Sequence, residues 1–489
     1  MSIAVFNPKN YILFVIALSL AACLPQDGGL TSTFKKPTQT PGPTPTAEPT
    51  RPKFDPGELV DYIAQSGDTL PALAARFNTT MKEIRQANPN IPADATTMPP
   101  GMPMKIPIYY LPFWGTTYQI LPDYLFVDGP AAVGFDTTAY IASHPGWLKD
   151  YRGYAVDANH SGAEMVDIVA ENYSISPRIL LAILEYQTGA LSQPVPPSGD
   201  YPLGEVNYLY DGLYMQLIWA ANILNNGYYG WRTGDLTSFQ HADGTLERPD
   251  PWQTAATVGL QYYFLQNFSN EEYQRSIGPE GLEHVYQDLF GDPWTLDQPA
   301  IPVSLQQPVL KFPFPAGESW TLTGGPHAGW GEAALWPWAA LDFAPPSVVA
   351  GCIPTTDMAT AVANGVVVRS ETGVVMLDLD GDGDERTGWD ILYLHVATAG
   401  RAKVGQILKV GGPVGYPSCE GGTATGTHVH IARKYNGEWI PADSAIPFNL
   451  EGWIAHDGNV PYQGSLTRGN QTVTACTCSD AASQVTAGK

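Results

Sequence analysis

The sequence is poor in basic residues. Its 489 residues include 25 lysines and arginines against 48 aspartates and glutamates, a formal net charge of −23. Such a chain has little with which to neutralise a row of phosphates, so its composition argues against nucleic acid as a partner. The same deficit argues against electrostatic adhesion to an anionic membrane. The length is too great for one hydrophobic core and predicts about three domains.

A long hydrophobic run is lacking at the N-terminus. The apolar stretch from Tyr11 to Leu20 follows Lys9 and is too short for a stable transmembrane span. It ends in Leu20-Ala21-Ala22-Cys23, a small-residue cleavage site that resembles a bacterial lipobox. The resemblance implies that residues 1–22 are a lipoprotein signal peptide and that Cys23 carries a lipid anchor in the bacterial envelope, outside the cytoplasm. The alternative is an ordinary signal peptide.

Cysteine is scarce, with five in the chain. In an exported protein the four beyond Cys23 tend to pair. Cys352 and Cys419 lie in the histidine-bearing C-terminal region, and we predict a disulfide between them. Cys476 and Cys478 can pair with each other or stay free, since four cysteines allow three connectivities.

Apolar side chains are almost missing from residues 23–58, which consist largely of proline, threonine, glycine and lysine. This composition predicts an extended tether between the anchor and the folded domains.

Residues 59–110 carry the pattern of a small βααβ unit, with Thr69 and Thr80 as helix N-caps. The predicted elements are strands at 62–64 and 104–107 and helices at 70–77 and 80–88. Residues 62–108 resemble the LysM module in Ser66-Gly67-Asp68-Thr69-Leu70 and in the Ile106-Pro107 end. The resemblance implies binding to N-acetylglucosamine-containing glycans such as peptidoglycan.

Residues 111–305 read as a mainly helical middle domain. Helices are predicted at 163–173, 176–184, 254–266 and 279–289, and Asn226-Gly227 is read as a loop.

The segment from Ile179 to Gly189 faintly resembles the catalytic helix of lysozyme-like lytic transglycosylases. Gln187 stands where that family has its glutamate, and glutamine cannot protonate a glycosidic oxygen. Glu185 lies about 200° away around the helix. We therefore expect a non-catalytic domain, the alternative being a glycosidase that uses Glu185.

Residues 306–456 predict an antiparallel all-β domain of short strands and glycine turns. Beyond them, residues 457–489 have little apolar content and are read as a tail.

The motif Gly426-Thr427-His428-Val429-His430 predicts a strand with both imidazoles on one face. Such a pair favours a bound metal ion, although two partly exposed histidines would fit the motif alone. Asp342 and His395 are polar residues in otherwise apolar strands, which is costly unless they are paired or ligated. Their presence in the same exported domain favours a metal site.

These segments, with Gly324-Gly325-Pro326-His327, resemble the lysostaphin/LytM-type zinc endopeptidases over about residues 310–455. The resemblance implies that His327, Asp342 and His430 bind zinc and that His395 and His428 form the catalytic pair. It also implies hydrolysis of peptide bonds in peptidoglycan, the alternative being a non-catalytic binder or an activator of other wall hydrolases. One departure is that His327 and Asp342 are 15 residues apart, whereas the family has three residues between them.

An aspartate-rich loop predicts a second ion site. Asp378, Asp380, Asp382 and Asp384 alternate, with a glycine at the sixth position, and resemble the start of an EF-hand-type calcium loop. Trp389 stands where a bidentate glutamate is expected, and Asp390 or Glu385 is the candidate to complete the set. The alternative is a solvated acidic turn.

Overall fold

The computed structural model describes residues 51–295, 301–348, 350–478 and 480–488. The predicted signal peptide, Cys23 and residues 23–50 of the predicted tether lie outside these ranges. Within them, no helix has the length and apolar character needed to cross a membrane.

The LysM module has the predicted βααβ order. Thr69 accepts a hydrogen bond from the Ala72 N–H, and Thr80 forms a reciprocal capping box with Glu83, so both predicted N-caps are confirmed. The strands are antiparallel, with Glu58 opposite Ile108. The elements are β1 (Glu58–Ile63), α1 (Leu70–Arg76), α2 (Met81–Ala87) and β2 (Pro103–Ile108).

The predicted tether is wrong in its last residues, because residues 51–57 pack against the folded chain. Phe54 lies 6.2 Å from the ring centroids of both Trp114 and Trp252. The Arg51 guanidinium lies 3.7 Å over the Trp252 ring and pairs with Asp250. Arg51 and Phe54 therefore lie against the folded chain and are not part of an extended tether.

The middle region is mainly helical, as predicted, with two small hairpins. Its elements are α3 (Thr137–Ala142), β3 (Arg152–Ala155), β4 (Ala158–Ser161), α4 (Gly162–Tyr173), α5 (Pro177–Thr188), α6 (Leu213–Thr233), β5 (Phe239–Gln240), β6 (Leu246–Glu247), α7 (Ala255–Asn267), α8 (Asn270–Ser276) and α9 (Leu282–Phe290).

The loop predicted at Asn226-Gly227 is wrong, since both residues lie inside α6. A Cβ atom at Gly227 would lie 2.6 Å from the Tyr262 Cβ and 2.9 Å from the Gly259 Cα. The glycine therefore serves the close approach of α6 to α7, not a turn.

The C-terminal region is the predicted antiparallel β domain. The elements are β7 (Ser319–Ala328), β8 (Trp338–Ala344), β9 (Ala359–Thr360), β10 (Gly365–Glu371), β11 (Gly373–Asp378), β12 (Trp389–Val396), β13 (Ile407–Leu408), β14 (Pro413–Gly415), β15 (Val429–Tyr435), β16 (Glu438–Trp439), β17 (Asn449–Leu450), β18 (Trp453–Asp457), β19 (Gly464–Arg468), β20 (Gln471–Thr474) and β21 (Gln484–Thr486). The largest sheet among the described residues has nine strands. Eight of them follow the order β13-β10-β11-β12-β15-β8-β7-β21, and β16 pairs with β15.

The predicted tail at 457–489 is wrong as well, because these residues continue the β domain. β18, β19 and β20 form a four-stranded sheet with β17, and β21 pairs with β7 in the large sheet. The large apolar residues of β19, β20 and β21, which are Leu466, Val473 and Val485, are buried. These strands give only a weak signal in the sequence, because each of them buries a single large apolar side chain.

The two faces of the large sheet have different neighbours. Leu341 and Ile431 face the core of the β domain itself. Ala340 and Ala432 join the core of the helical region. Side chains alternate along a strand, so Asp342 shares a sheet face with Ala340, and His430 shares it with Ala432. This face of the sheet packs against the helical region.

Candidate metal centre

Three neighbouring strands bring the predicted ligands together. His430 on β15 lies directly opposite Asp342 on β8, and Asp342 lies opposite Gly324 on β7. A Cβ atom at Gly324 would lie 2.5 Å from the Asp342 Oδ2. The carboxylate thus needs a glycine beside it. Register shifts between Gly324 and Ala328 then place His327 on the same cluster.

The ligand atoms form a compact, buried triangle. The His327 Nε2 lies 3.0 Å from the His430 Nδ1, and the Asp342 Oδ1 lies 3.4 and 3.3 Å from these two nitrogens. All three residues are at most 5% exposed.

Hydrogen bonds to backbone carbonyls show which nitrogen of each ring faces the cluster. The His327 Nδ1 lies 2.9 Å from the Gly325 O, and the His430 Nε2 lies 3.1 Å from the Gly329 O. A carbonyl only accepts, so these nitrogens carry the hydrogens and donate. In the neutral rings the other nitrogens, which face the cluster, are bare. This is how metal-bound histidines are usually held.

The triangle fits a zinc ion. Ligand atoms about 2.0–2.1 Å from a tetrahedral zinc lie about 3.3–3.4 Å apart, close to the separations here. Among the described residues, the Asp342 Oδ1 has no hydrogen-bond donor. Burial alone would raise the pKa of Asp342, but attraction to His327 and His428 in their protonated forms holds that pKa well below its usual range. Three converging electron-pair donors, one of them anionic, repel one another unless they share a cation.

His395 and His428 lie beside the triangle with their ring centroids 4.6 Å apart. The His395 Nδ1 donates to the Glu420 O at 3.0 Å, and the His428 Nδ1 donates to the Gly426 O at 2.7 Å. The structure thus brings all five predicted residues together, and in the neutral form of these two rings the Nε2 carries no hydrogen. His395 has φ +64°, which is rare for a residue other than glycine.

The two rings differ in their surroundings. Burial, with the neighbouring His428 and His430, lowers the pKa of His395 to about 3. The His428 side chain is 15% exposed, more than the other four, and its Nε2 lies 3.6 Å from the Asp342 Oδ1. His395 is therefore neutral at physiological pH, and His428 lies at the mouth of the site.

The predicted disulfide between Cys352 and Cys419 is confirmed, with the Cα atoms 5.8 Å apart. It lies next to Glu420, and the same loop continues to Gly426. These two residues supply the carbonyls that hold His395 and His428. A second disulfide joins Cys476–Cys478.

The insertion between His327 and Asp342 is anchored to the helical region. The side-chain oxygens of Asn222 and Asn226, one turn apart on α6, accept hydrogen bonds from the N–H groups of Glu332 and Trp336 at 3.0 and 3.1 Å. The insertion begins at Gly329, whose carbonyl holds His430. The unusual spacing therefore reflects a contact between domains.

Tyr462 contacts the site, and the sequence does not predict this contact because the residue lies in the stretch predicted to be a tail. Its ring stacks on His327 with centroids 4.2 Å apart, and its carbonyl accepts a hydrogen bond from the Gly325 N–H at 2.8 Å. No local sequence signal identifies it, because the contact depends on the loop between β18 and β19.

The acidic loop is only partly as predicted. One carboxylate oxygen from each of Asp378, Asp380 and Asp382 falls in a group spanning at most 4.8 Å. Asp384 instead binds the Arg386 guanidinium at 2.7 and 2.9 Å. Asp390 is fully buried, and its two oxygens have no hydrogen-bond partner among the described residues.

The transglycosylase-like helix holds its polar groups in structural bonds. The Glu185 Oε2 accepts hydrogen bonds from the Leu191 and Ser192 N–H groups at 2.7 and 3.2 Å. The Gln187 side-chain oxygen accepts one from the Tyr263 hydroxyl at 2.7 Å.

Comparison with known proteins adds two domain matches. Residues 62–107 match the LysM domain model, and residues 119–304 match the model of the LasA N-terminal domain. Protease LasA of Pseudomonas aeruginosa strain PAO1 is 26% identical over 352 residues, and the match covers 66% of this chain and 76% of the protease. Protease LasA of strain UCBPP-PA14 gives the same identity and coverage.

Similar solved structures include two peptidases. The M23 metalloprotease pseudoalterin is 22% identical, with a TM-score of 0.29, over 35% of this chain and 96% of its own. The catalytic domain of lysostaphin from Staphylococcus simulans is 18% identical, with a TM-score of 0.18, and the match covers 26% of this chain and 88% of the lysostaphin domain. The motifs, the two domain matches and the similarity to protease LasA together support a LytM-type peptidase with a LysM domain and a LasA N-terminal domain.

Proposed function

We propose that this chain is a zinc-dependent endopeptidase that cuts peptide bonds in peptidoglycan, with His327, Asp342 and His430 as the zinc ligands. One observation carries the proposal. Two buried imidazoles, each fixed by a backbone carbonyl, point bare nitrogens at a buried carboxylate whose Oδ1 has no hydrogen-bond donor among the described residues. A binding protein would have no need to bear the cost of such an arrangement.

The remaining two histidines handle protons. When bound, zinc polarises the scissile carbonyl and makes water more acidic. The Nε2 atoms of His395 and His428 are held beside the ligands and can each accept a proton from the attacking water. Once protonated, the same ring can stabilise the developing oxyanion or donate to the leaving amine. We assign these tasks to the two residues jointly.

The LysM module is the proposed glycan-binding part. It is docked on the helical region, because Arg76 donates to the Trp231 O at 3.0 Å and Arg232 donates to the Ser66 O. Arg232 also binds Glu438 of the β domain at 2.7 and 2.9 Å. Glycan held by this module would lie at a fixed distance from the peptidase site.

We place the protein in the bacterial cell envelope, anchored to a membrane through lipid on Cys23. The leader pattern supports export, and two disulfides suit an oxidising compartment. Labelling with a lipid precursor should mark the wild type and not Cys23→Ala, and the variant should leave the membrane fraction. An unlabelled wild type would contradict the anchor.

Cleavage of purified muropeptides tests the activity. The wild type should bind about one zinc per chain and release new amines, whereas Asp342→Ala and His430→Ala should lose both properties. His284→Ala is the matched control, since that side chain is 54% exposed on α9. New reducing ends would indicate a glycosidase. Intact cleavage without zinc would refute the proposal, and zinc binding without cleavage would favour a binder or activator.

A further inference from the structure

The loop between β11 and β12 curls its aspartates around one point. Asp378, Asp380 and Asp382 each accept a hydrogen bond from the N–H two residues further on, at 2.9, 3.2 and 2.9 Å. This repeated turn gathers one carboxylate oxygen from each residue into a group that spans at most 4.8 Å. Anionic oxygens this close repel one another strongly.

Asp390 gives an independent indication of a ligand. It is 0% exposed, and neither carboxylate oxygen has a protein donor among the described residues. It lies directly opposite Asp378 in the antiparallel pair of β11 and β12. Directly opposed residues share a sheet face, with Cβ atoms about 4.5–5.5 Å apart. The unpartnered carboxylate is therefore held next to the first aspartate of the loop.

The nearby basic side chains are already engaged. Arg386 binds Asp384, while Arg369 and Lys434 both bind Glu385, at 2.7 and 2.8 Å. Within the described ranges, none of Asp378, Asp380, Asp382 and Asp390 forms a salt bridge. Negative charge on the three clustered aspartates of the loop therefore has no direct protein counter-ion.

We propose that Asp378, Asp380, Asp382 and Asp390 bind a calcium ion, at a site separate from the zinc centre. The donor set is entirely oxygen, which suits calcium and not zinc. Asp380 and Asp382 are exposed, so water can complete the six to eight ligands that calcium takes. Asp384, predicted from the sequence as a ligand, is left out of the proposed set because its charge is already balanced by the Arg386 guanidinium, which binds both of its oxygens.

Calcium would also order the contact with the helical region. The loop continues to Glu385, which holds the Arg369 guanidinium, and the same guanidinium donates to the Asn172 side chain of α4 at 2.7 Å. A cation that fixes the loop therefore stabilises the interface between the two domains.

The test uses the full chain, stripped of metal with a chelator and returned to one equivalent of zinc. Calcium should bind with a Kd of about 10⁻⁴–10⁻³ M, the range of extracellular modules, and raise the Tm. Terbium bound at the same site should show luminescence sensitised by Trp389, and calcium should displace it. Asp380→Asn with Asp382→Asn should weaken calcium binding at least tenfold and leave the zinc content unchanged.

Asp384→Asn is the matched control, because it removes a charge from the same loop without removing a proposed ligand. It should keep the calcium affinity within about threefold, well short of the tenfold loss that marks a lost ligand. Equal losses in this control and the double variant would overturn the ligand assignment. Failure of the wild type to bind calcium at about 10 mM, above the extracellular range, would overturn the site itself. Neither result bears on the zinc proposal, which Asp342→Ala tests separately.

Discussion

Replacing Gly324 by alanine tests whether the position of Asp342 controls zinc binding. The new Cβ would lie 2.5 Å from the Asp342 Oδ2 and 2.9 Å from its Cγ. Non-bonded carbon and oxygen atoms rarely approach closer than about 3.2 Å, so the carboxylate must move by about 0.7 Å. The ligand separations of 3.0–3.4 Å leave little room for such a shift.

In Gly324→Ala the Asp342 carboxylate is still present but shifted from its position. We expect zinc binding to weaken about 10- to 100-fold, as it does when a group that supports a metal ligand is removed. This corresponds to about 1.4–2.8 kcal/mol. The metal-free fold should change little, because the lower entropy of the unfolded chain, worth about 0.4–1 kcal/mol, offsets part of the strain. Competition with a chromophoric chelator measures the affinity, and peptide cleavage at limiting zinc should fall in proportion.

Gly426→Ala is the matched control, because it lies two residues before His428 and its Cβ would meet no atom closer than 3.5 Å. It should bind zinc like the wild type. If Gly324→Ala also binds zinc within twofold of the wild type, the close approach to Asp342 does not set the geometry of the site and the reasoning fails.

Three further predictions concern the packing around the site. Asn222→Ala with Asn226→Ala should lower the free energy of unfolding by about 2 kcal/mol, from two hydrogen bonds, and weaken zinc binding in chelator competition. Unchanged zinc affinity would mean that the insertion does not help to hold His430. Cys352→Ser with Cys419→Ser opens a 67-residue separation and should cost about 2–4 kcal/mol in denaturant unfolding; a smaller loss would contradict it. Burial of the Glu171 carboxyl has a larger effect than its attraction to Arg369, and raises the pKa of Glu171 to about 7. Its contribution to stability is therefore complete below the unfolded pKa of about 4.3 and is lost as pH rises through about 7. The free energy of unfolding of Glu171→Gln, relative to that of the wild type, should therefore be higher at pH 8 than at pH 5. An equal difference between the two proteins at both pH values would refute the assigned pKa shift.

The parts of the fold that local patterns predict are those that local interactions hold. The sequence predicts Thr69 and Thr80 as helix caps because a cap bonds within three residues. It does not predict the role of Gly227, because that role depends on α7, which lies far away in the chain. Leu466 and Val473 gave too weak a signal because their strands bury little apolar area each.

The site divides in the same way. Asp342 and His395 stand out because a polar residue in an apolar strand is visible in the sequence alone, and His428 and His430 stand out through the spacing of two histidines on one strand face. Their partners do not, since the carbonyls of Gly329 and Glu420 carry no side-chain signature and their positions depend on long-range packing. The sequence therefore predicts which side chains take part better than it predicts what holds them.

The two histidines of the H-x-H motif acquire different tasks from a difference of two residues. His430 lies within β15, opposite Asp342 and two residues from Ala432, which the helical region covers. His428 precedes the first residue of β15, so its ring is on the same side but at the open end of the strand, where it is 15% exposed. Period-two alternation puts both rings beside Asp342, and the strand boundary decides which one can meet substrate. His430 is thus suited to hold a metal and His428 to exchange protons with water.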